Sequence, residues 1–112
     1  MKVIIAGSRD LHGPVNLAVS NSCYEITEVV SGGAHGIDKA GEQWAEVSGI
    51  PIKQFLADWE NHGKAAGIYR NIDMAEYADA LIAIWDGKSK GTLHMINSMV
   101  NKKKPVFVYC PT

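Results

Sequence analysis

Five short runs of apolar, largely β-branched residues recur along this chain at regular intervals. The runs are KVIIA (2–6), ITEVVS (26–31), PIKQFL (51–56), ALIAIW (80–85) and PVFVY (105–109). Near-continuous apolar runs of this length are typical of strands that are covered on both faces, as in a parallel sheet. The spacing therefore predicts a five-stranded parallel sheet.

Helical periodicity occupies the segments between these runs. The predicted helices are residues 14–22, 37–48, 65–77 and 92–102. The pattern at 37–48 is the clearest, and Gly49 stands where a C-terminal cap belongs. In the last helix, Leu93, Ile96 and Val100 are expected to face inward. The alternation predicts an α/β fold: a single Rossmann-like, three-layer domain over residues 1–112.

Composition narrows the class of protein. The chain has 112 residues, of which 46% are hydrophobic, enough for one core. Because 11 basic residues balance 12 acidic ones, a nucleic-acid partner is not expected. Cys23 and Cys110 lack the spacing of a disulfide framework or zinc site, which fits a reducing compartment. No run approaches the roughly 20 apolar residues of a membrane span. We expect a soluble cytoplasmic protein without a metal or cofactor.

The strand-to-helix loops are the predicted binding edge. Ligands of open parallel sheets bind beyond the carboxyl ends of the strands, near the point where strand order reverses. The segments that leave those ends are GSRD (7–10), GGAHGID (32–38), ADWENHGK (57–64) and DGKSKGT (86–92). They hold most of the glycine and much of the polar chemistry of the chain.

The segment SGGAHGID is the strongest of these loops. Glycine allows close backbone approach, and a strand-to-helix turn directs free N–H groups at an anion, so Gly32, Gly33 and Gly36 predict a phosphate site. A side chain at Gly33 is accordingly expected to obstruct the ligand. The alternative is a tight turn that needs glycine for its geometry alone. The spacing is not the dinucleotide fingerprint. Asp38 is suited either to cap the helix or to accept a ribose hydroxyl.

The other loops supply further candidates. Gly91 and Thr92 begin a second helix, which Thr92 is suited to cap, but Ile82 stands where a Walker A motif requires glycine. Gly7 permits a turn after which Ser8 and Arg9 can reach a phosphate. Trp59 is placed to stack on a base. Arg70 and Asn71 are polar residues in an otherwise apolar helical pattern, where a solvated arginine is the simpler interpretation.

The loops taken together resemble a known superfamily. The segments AGSRD, VVSGGAHGID, ADWENHGKAAGIYRN, MAEYADALIAIWDGKSKGT and KPVFVY are similar to those of SLOG Rossmann-like domains, in particular the small YspA- and YpsA-related proteins. The similarity runs through nearly the whole chain. More distant relatives are the DNA-processing protein DprA/Smf and the LOG phosphoribohydrolases. The resemblance implies a nucleotide or nucleotide-sugar pocket formed by the first, second and fourth loops.

Residues and resemblance together define the predicted site. The expected ligand-binding residues are Gly7, Ser8, Arg9, Ser31, Gly32, Gly33, Gly36, Asp38, Trp59, Arg70, Asn71, Asp86, Gly91 and Thr92. The leading hypothesis is a domain that senses or sequesters a nucleotide-derived small molecule. A homo-oligomer is also expected, because SLOG relatives commonly self-associate and apolar residues of helix 65–77 look exposed.

Two other functions remain open. The first is a nucleotide N-glycosidase, for which Asp38, Glu42 and Asp86 are hypothetical catalytic carboxylates. The LOG enzymes that the chain resembles carry a glutamate in a GT-x-x-E segment, whereas the corresponding segment here is GTLHM, with Met95 at that position. The second is a DprA-like module for single-stranded DNA, which the balanced charge disfavours.

Overall fold

The structure, a computed structural model, describes residues 1–8, 15–34 and 36–110. Strands and helices alternate along it as β1 (Lys2–Gly7), α1 (Val15–Ser22), β2 (Glu28–Ser31), α2 (Ile37–Ser48), β3 (Ile52–Gln54), α3 (Trp59–His62), α4 (Ala66–Tyr77), β4 (Ala80–Ile84), α5 (Lys90–Asn101) and β5 (Val106–Tyr109). A turn of 3₁₀ helix, Gly63–Ala65, joins α3 to α4. The predicted α/β fold is confirmed.

All five strands form one parallel sheet in the order β3-β2-β1-β4-β5. After β1, the chain adds β2 and β3 on one side of the sheet. It then crosses to the other side of β1, where it adds β4 and β5. Strand order therefore reverses between β1 and β4, whose carboxyl ends lie side by side at Gly7 and Ile84. That pair is where an open α/β sheet places its ligand crevice.

The sheet is covered on both faces, which makes three layers. Because side chains alternate along a strand, Val3 and Ile5 pack with Ile37 and other residues of α1 and α2. Ile4 faces the opposite layer and packs with Met74 of α4 and residues of α5. All five residues of β4 are buried. The predicted apolar runs are thus strands of a sheet with two buried faces.

Helix α2 matches its prediction closely. It spans Ile37–Ser48, and Gly49 ends it in the left-handed conformation with φ of 71°. Its buried face, however, includes Asp38 and Glu42 as well as apolar residues. Two buried carboxylates on one helix require polar partners, since an unpaired buried charge is strongly unfavourable.

The orientation predicted for α5 is wrong for Leu93 and Val100, whereas Ile96 is partly buried and packs against the core as expected. Leu93 and Val100 are 41% and 56% exposed, whereas Thr92, Met95 and Met99 are buried. The two stripes are offset by one residue and share the same spacing, so periodicity alone cannot separate them. The flexible methionines fill the layer against the sheet, which leaves Leu93 and Val100 at the surface.

Two features around the third strand differ from expectation. β3 has three residues rather than the predicted six, and it lies at the edge of the sheet, where one side lacks a partner. The following loop contains α3, whose N-terminus is capped when Asp58 accepts a hydrogen bond from the Asn61 N–H at 3.2 Å. No helix in the described part of the chain is long and apolar enough to cross a membrane.

Candidate functional site

A polar cleft opens where the strand order reverses. This central cleft, about 90 Å³, is lined by Ala6, Gly7, Gly32, Ala34, Asp38, Arg70, Asn71, Met74, Ser89, Gly91, Thr92 and Met95. These residues come from the carboxyl ends of β1 and β2, from the first turns of α2 and α5, and from the middle of α4. The topology thus brings three helices and two strands to one point.

Arg70 is the principal cation of the central cleft. Its Nη1 donates to the carbonyl oxygen of Gly32 at 2.9 Å, and its Nε donates to Asn71 Oδ1 at 3.2 Å. These bonds fix the guanidinium across the gap between α4 and β2. The half-buried side chain is therefore not the solvated surface arginine that the helical pattern also allowed. Its remaining N–H groups are the ones available to a ligand.

Gly32 is required by this arrangement. A Cβ at that position would lie 2.8 Å from Arg70 Nη1 and 2.9 Å from Asp38 Oδ2. The absence of a side chain lets the guanidinium and the carboxylate approach the same stretch of backbone. The close approach expected of this glycine is therefore made by side chains of the chain itself.

Asn71 connects α4 to the first turn of α5. The side chain is buried, and its Nδ2 donates to the carbonyl oxygen of Gly91 at 3.3 Å. The same nitrogen lies 3.2 Å from His94 Nδ1. When Nδ1 accepts that hydrogen bond, the neutral imidazole carries its proton on Nε2. Asn71 therefore orients both Arg70 and His94.

The amides of the glycine-rich turn are engaged within the chain. Gly33 N donates to Ser31 Oγ at 3.1 Å, and Ala34 N donates to Asp38 Oδ2 at 3.1 Å. Gly36 precedes α2 with φ of 78° and provides no side-chain cap. The expectation that this turn offers a row of free N–H groups is wrong for these two residues, because neighbouring side chains already accept from them.

A Cβ added at Gly33 would lie outside the central cleft. Gly33 has φ of 71°, and an added Cβ would lie 2.9 Å from Leu56 Cδ2. This direction leads to Leu56 in the loop after β3, which together with Gly33 lines a neighbouring cleft, so the obstruction predicted at Gly33 stays a prediction. Glycine is needed here chiefly because few other residues adopt a positive φ.

Glu42 lies behind the glycine-rich turn. Its Oε2 accepts hydrogen bonds from Ser31 Oγ at 2.6 Å and from Gln54 Nε2 at 2.8 Å, and Lys39 pairs with Oε1 at 3.4 Å. Burial raises the pKa of Glu42, but these hydrogen bonds and the Lys39 charge outweigh it and leave the pKa below its ordinary value. Glu42 thus stays ionised and anchors Ser31 rather than lining the central cleft.

Asp86 organises the loop after β4. Its Oδ1 accepts from the N–H groups of Lys88 and Ser89, each at 2.8 Å. The bonds from Ser89 and then Lys88 lower the pKa of Asp86 below its ordinary value. The Asp86 N–H donates to the buried Ser8 Oγ at 3.1 Å, which ties this loop to the end of β1. Asp86 itself is exposed and outside the central cleft.

The first turn of α5 borders the central cleft. Ser89 is the N-cap and accepts from the Thr92 N–H at 3.4 Å, so the capping role expected of Thr92 belongs to Ser89. The reason is that the helix starts at Lys90, two residues earlier than predicted. The N–H groups of Lys90 and Gly91 fall in the part of the turn that has no acceptor within a helix. This terminus presents bare backbone to the cleft at Gly91.

Gly7 has a packing role in addition to its place in the cleft. A Cβ there would overlap the carbonyl oxygen of Ile84 and lie 2.8 Å from Ile37 Cγ1. Gly7 therefore allows α2 and β4 to approach the end of β1.

A second, outer cleft adjoins the central one at Gly32, Ala34 and Arg70. It has a volume of about 380 Å³, and Gly33, Leu56, Ala57 and Trp59 complete its lining. Trp59 is 56% exposed, so a broad aromatic surface is accessible beside the polar cleft. Such a surface is suited to stacking on a planar ring.

The predicted site residues thus divide into groups. Gly7, Gly32, Asp38, Arg70, Asn71, Gly91 and Thr92 line the central cleft. Gly33 and Trp59 line the outer cleft. Ser8, Ser31, Gly36, Glu42 and Asp86 line neither. Arg9 lies outside the described residues. Sequence reasoning missed His94, although it stands three residues after Gly91 and so on the same face of the helix.

The profile of the YspA, cpYpsA-related SLOG family matches residues 1–62. The chain belongs to this SLOG family. Membership indicates a nucleotide-related Rossmann-like protein. The SLOG match runs from β1 through α3 and includes Gly32 and Asp38, whereas Arg70, Asn71 and Gly91 come from the remaining part of the chain.

A curated relative of this SLOG protein is the Gene 61 protein of Mycobacterium phage D29. The two sequences are 39% identical over 84 residues, which cover 70% of this chain and 67% of the phage protein. No solved structure matches the chain significantly.

Proposed function

We propose that this SLOG domain binds a nucleotide or nucleotide-derived ligand, which it senses or sequesters, across the central and outer clefts. The observation that carries the proposal is the position of Arg70. Its guanidinium is anchored on the Gly32 carbonyl and faces a cleft that the bare first turn of α5 also borders. A fixed guanidinium beside a helix N-terminus is suited to a phosphate.

The neighbouring residues suggest an orientation for the ligand. A phosphoryl group fits between Arg70 and the N–H groups at the start of α5. The Asp38 carboxylate, already held by the Ala34 N–H at 3.1 Å, is suited to accept a hydrogen bond from a sugar hydroxyl. Trp59 then lies on the far side of Arg70, where the outer cleft can receive the base.

Binding is better supported than hydrolysis of the N-glycosidic bond. Glycoside hydrolysis generally uses two carboxylates, one of them with a raised pKa. Among the described residues that line the central cleft, Asp38 is the one carboxylate, and the buried Met95 stands at the glutamate position of GT-x-x-E. Glu42 and Asp86 have lowered pKa values and lie outside this cleft.

Isothermal titration calorimetry against nucleoside monophosphates and diphosphates, cyclic nucleotides and ADP-ribose tests the proposal. We expect at least one of them to bind, and Arg70→Met to weaken its affinity about tenfold or more, because a charge-assisted hydrogen bond contributes about 1.5–3 kcal/mol. Asn97→Ala, an exposed position of α5 outside both clefts, is the matched control. The proposal fails if nothing in this panel binds at millimolar concentration.

Chromatography of the same mixtures separates binding from turnover. We expect the nucleotides to be recovered intact after prolonged incubation. Release of free base by the parent protein, and its loss in Asp38→Asn, would instead establish an N-glycosidase that works with a single carboxylate in the central cleft.

A further inference from the structure

A third cleft lies between the first turns of α4 and α5. This interhelix cleft has a volume of about 270 Å³, and its lining includes Lys64, Gly67, Arg70, Lys90, Gly91 and His94. It shares Arg70, Asn71 and Gly91 with the central cleft. A ligand bound at Arg70 can therefore extend into it without leaving the protein surface.

The lining of the interhelix cleft is cationic. Lys64, Arg70 and Lys90 contribute three positive charges, and no described residue of the lining is a carboxylate. The whole chain has a formal net charge of −1, so this concentration of positive charge is local. Converging like charges in a concave site raise the local concentration of anions.

The backbone around this cleft is also open to a ligand. The second residue of α4 and the second residue of α5 are both glycine, Gly67 and Gly91. A Cβ on Gly91 would meet nothing within 4 Å, and a Cβ on Gly67 would approach only Arg70 Nη2 at 3.8 Å and Trp59 Cη2 at 4.0 Å. At α5 this leaves an unobstructed first turn and the positive end of a 12-residue helix facing the cleft. At α4 the preceding 3₁₀ turn already accepts the Ala66 N–H at the Gly63 carbonyl, so Gly67 adds open surface rather than a free helix end.

His94 supplies a directed donor on the same side. With its Nδ1 held 3.2 Å from Asn71 Nδ2, the imidazole ring is oriented by a buried amide. In the neutral tautomer that accepts at Nδ1, the Nε2–H is left for a ligand oxygen. The contact with Asn71 thus holds the His94 ring in one orientation, which a solvated surface histidine would not need.

We propose that the interhelix cleft binds a second phosphoryl group, so that the ligand is a nucleoside diphosphate or another nucleotide with a diphosphate linkage. This inference rests on the proposed function, because the first phosphoryl group occupies the central cleft at Arg70. The central cleft, at about 90 Å³, is the smaller compartment, and the cations of Lys64 and Lys90 lie beyond it.

The test compares the four ribonucleoside 5′-monophosphates with their 5′-diphosphates by calorimetry at constant ionic strength. For at least one base we expect the diphosphate to bind about tenfold more tightly or better, as an added charge-assisted phosphate contact implies. In Lys64→Met/Lys90→Met the diphosphate should lose this advantage, so that its affinity falls to about that of the monophosphate in the same variant. The His94 ring resonances should shift with the diphosphate and not with the monophosphate.

Lys88→Met/Lys103→Met is the matched control, since it removes the same charge from lysines that line none of the three clefts. It should preserve the diphosphate preference. Equal loss in both double variants would show a general charge effect and overturn the inference. Monophosphate binding with no diphosphate preference in the parent protein would overturn the inference alone. Failure of every nucleotide to bind would overturn the proposed function as well.

Discussion

Replacing Gly91 with alanine should raise the stability of the protein and lower its affinity for a phosphorylated ligand. Gly91 is the second residue of α5, and an added Cβ would meet nothing within 4 Å. Since no contact opposes the methyl group, the change should gain up to about 1 kcal/mol from helix propensity. For a domain of this size that corresponds to a rise of up to about 4–8 °C in Tm.

The same methyl group would intrude on the ligand. Gly91 lines both the central and the interhelix cleft, at the N–H groups proposed to meet the phosphates. We expect affinity to fall about tenfold in Gly91→Ala and further in Gly91→Val, because each displaces the phosphoryl group from its hydrogen-bond donors. Thermal unfolding without ligand and calorimetry with it measure the two effects separately.

Because Gly91→Ala is expected to raise stability and lower affinity, a general loss of folding cannot account for the predicted result. Asn97→Ala, at an exposed position of the same helix, should gain stability through helix propensity without affecting affinity. A folded Gly91→Val protein that binds its nucleotide as tightly as the parent would refute the placement of the phosphate at α5. A loss of stability in Gly91→Ala would contradict the conclusion that the space around this glycine is open.

Three further predictions follow from contacts elsewhere. Lys104 Nζ donates to the carbonyl oxygens of Ala75, Glu76 and Ala78 at the end of α4, so Lys104→Met should lower the free energy of unfolding by about 1.5–3 kcal/mol in urea titrations; no measurable loss would contradict this. Because the folded-state pKa of Glu42 is lowered, its ionised form stabilises the protein above the unfolded-state pKa; the stability difference from Glu42→Gln should be full near neutral pH and vanish as the pH falls through the folded pKa, and a pH-independent difference would argue otherwise. Asp38→Asn keeps an oxygen acceptor for the Ala34 N–H, so circular dichroism should show an intact fold while calorimetry shows partly weakened binding; an unfolded variant would mean that the charge itself holds the turn.

The fold was predictable because its signals are local and repeated. Each strand is an apolar run, each crossover carries helical periodicity, and Gly49 occupies the left-handed position that a helix end requires. The sequence-based predictions were less accurate where tertiary contacts determine the length or the orientation of an element. β3 is short because it is an edge strand, and α5 turns Met95 rather than Leu93 toward the sheet although both spacings fit a helix.

The place of the central cleft in the fold was predictable, whereas the hydrogen bonds within it were not. The rule for open α/β sheets places the crevice beyond β1 and β4 once the strands are known. The bond from Arg70 to the Gly32 carbonyl joins residues 38 positions apart, and no local pattern encodes it. Likewise, that Ser31 and Asp38 accept hydrogen bonds from the Gly33 and Ala34 N–H groups is known only once the positions of these side chains are known.

The homo-oligomer stays a prediction. Ile68 and Ile72 are exposed on α4, as the sequence pattern suggested.

The central cleft is assembled from both halves of the chain. Gly32 and Asp38 come from the segment up to α2, and Arg70, Asn71 and Gly91 come from α4 and α5. A ligand held between them can bind only the folded chain, so its binding free energy adds to the stability of the whole domain. At a concentration about 100 times Kd that addition is about 2.7 kcal/mol. If the ligand is the nucleotide proposed above, the lifetime of the protein against proteolysis depends on the supply of that nucleotide, and the amount of the protein in the cell reports on the nucleotide concentration.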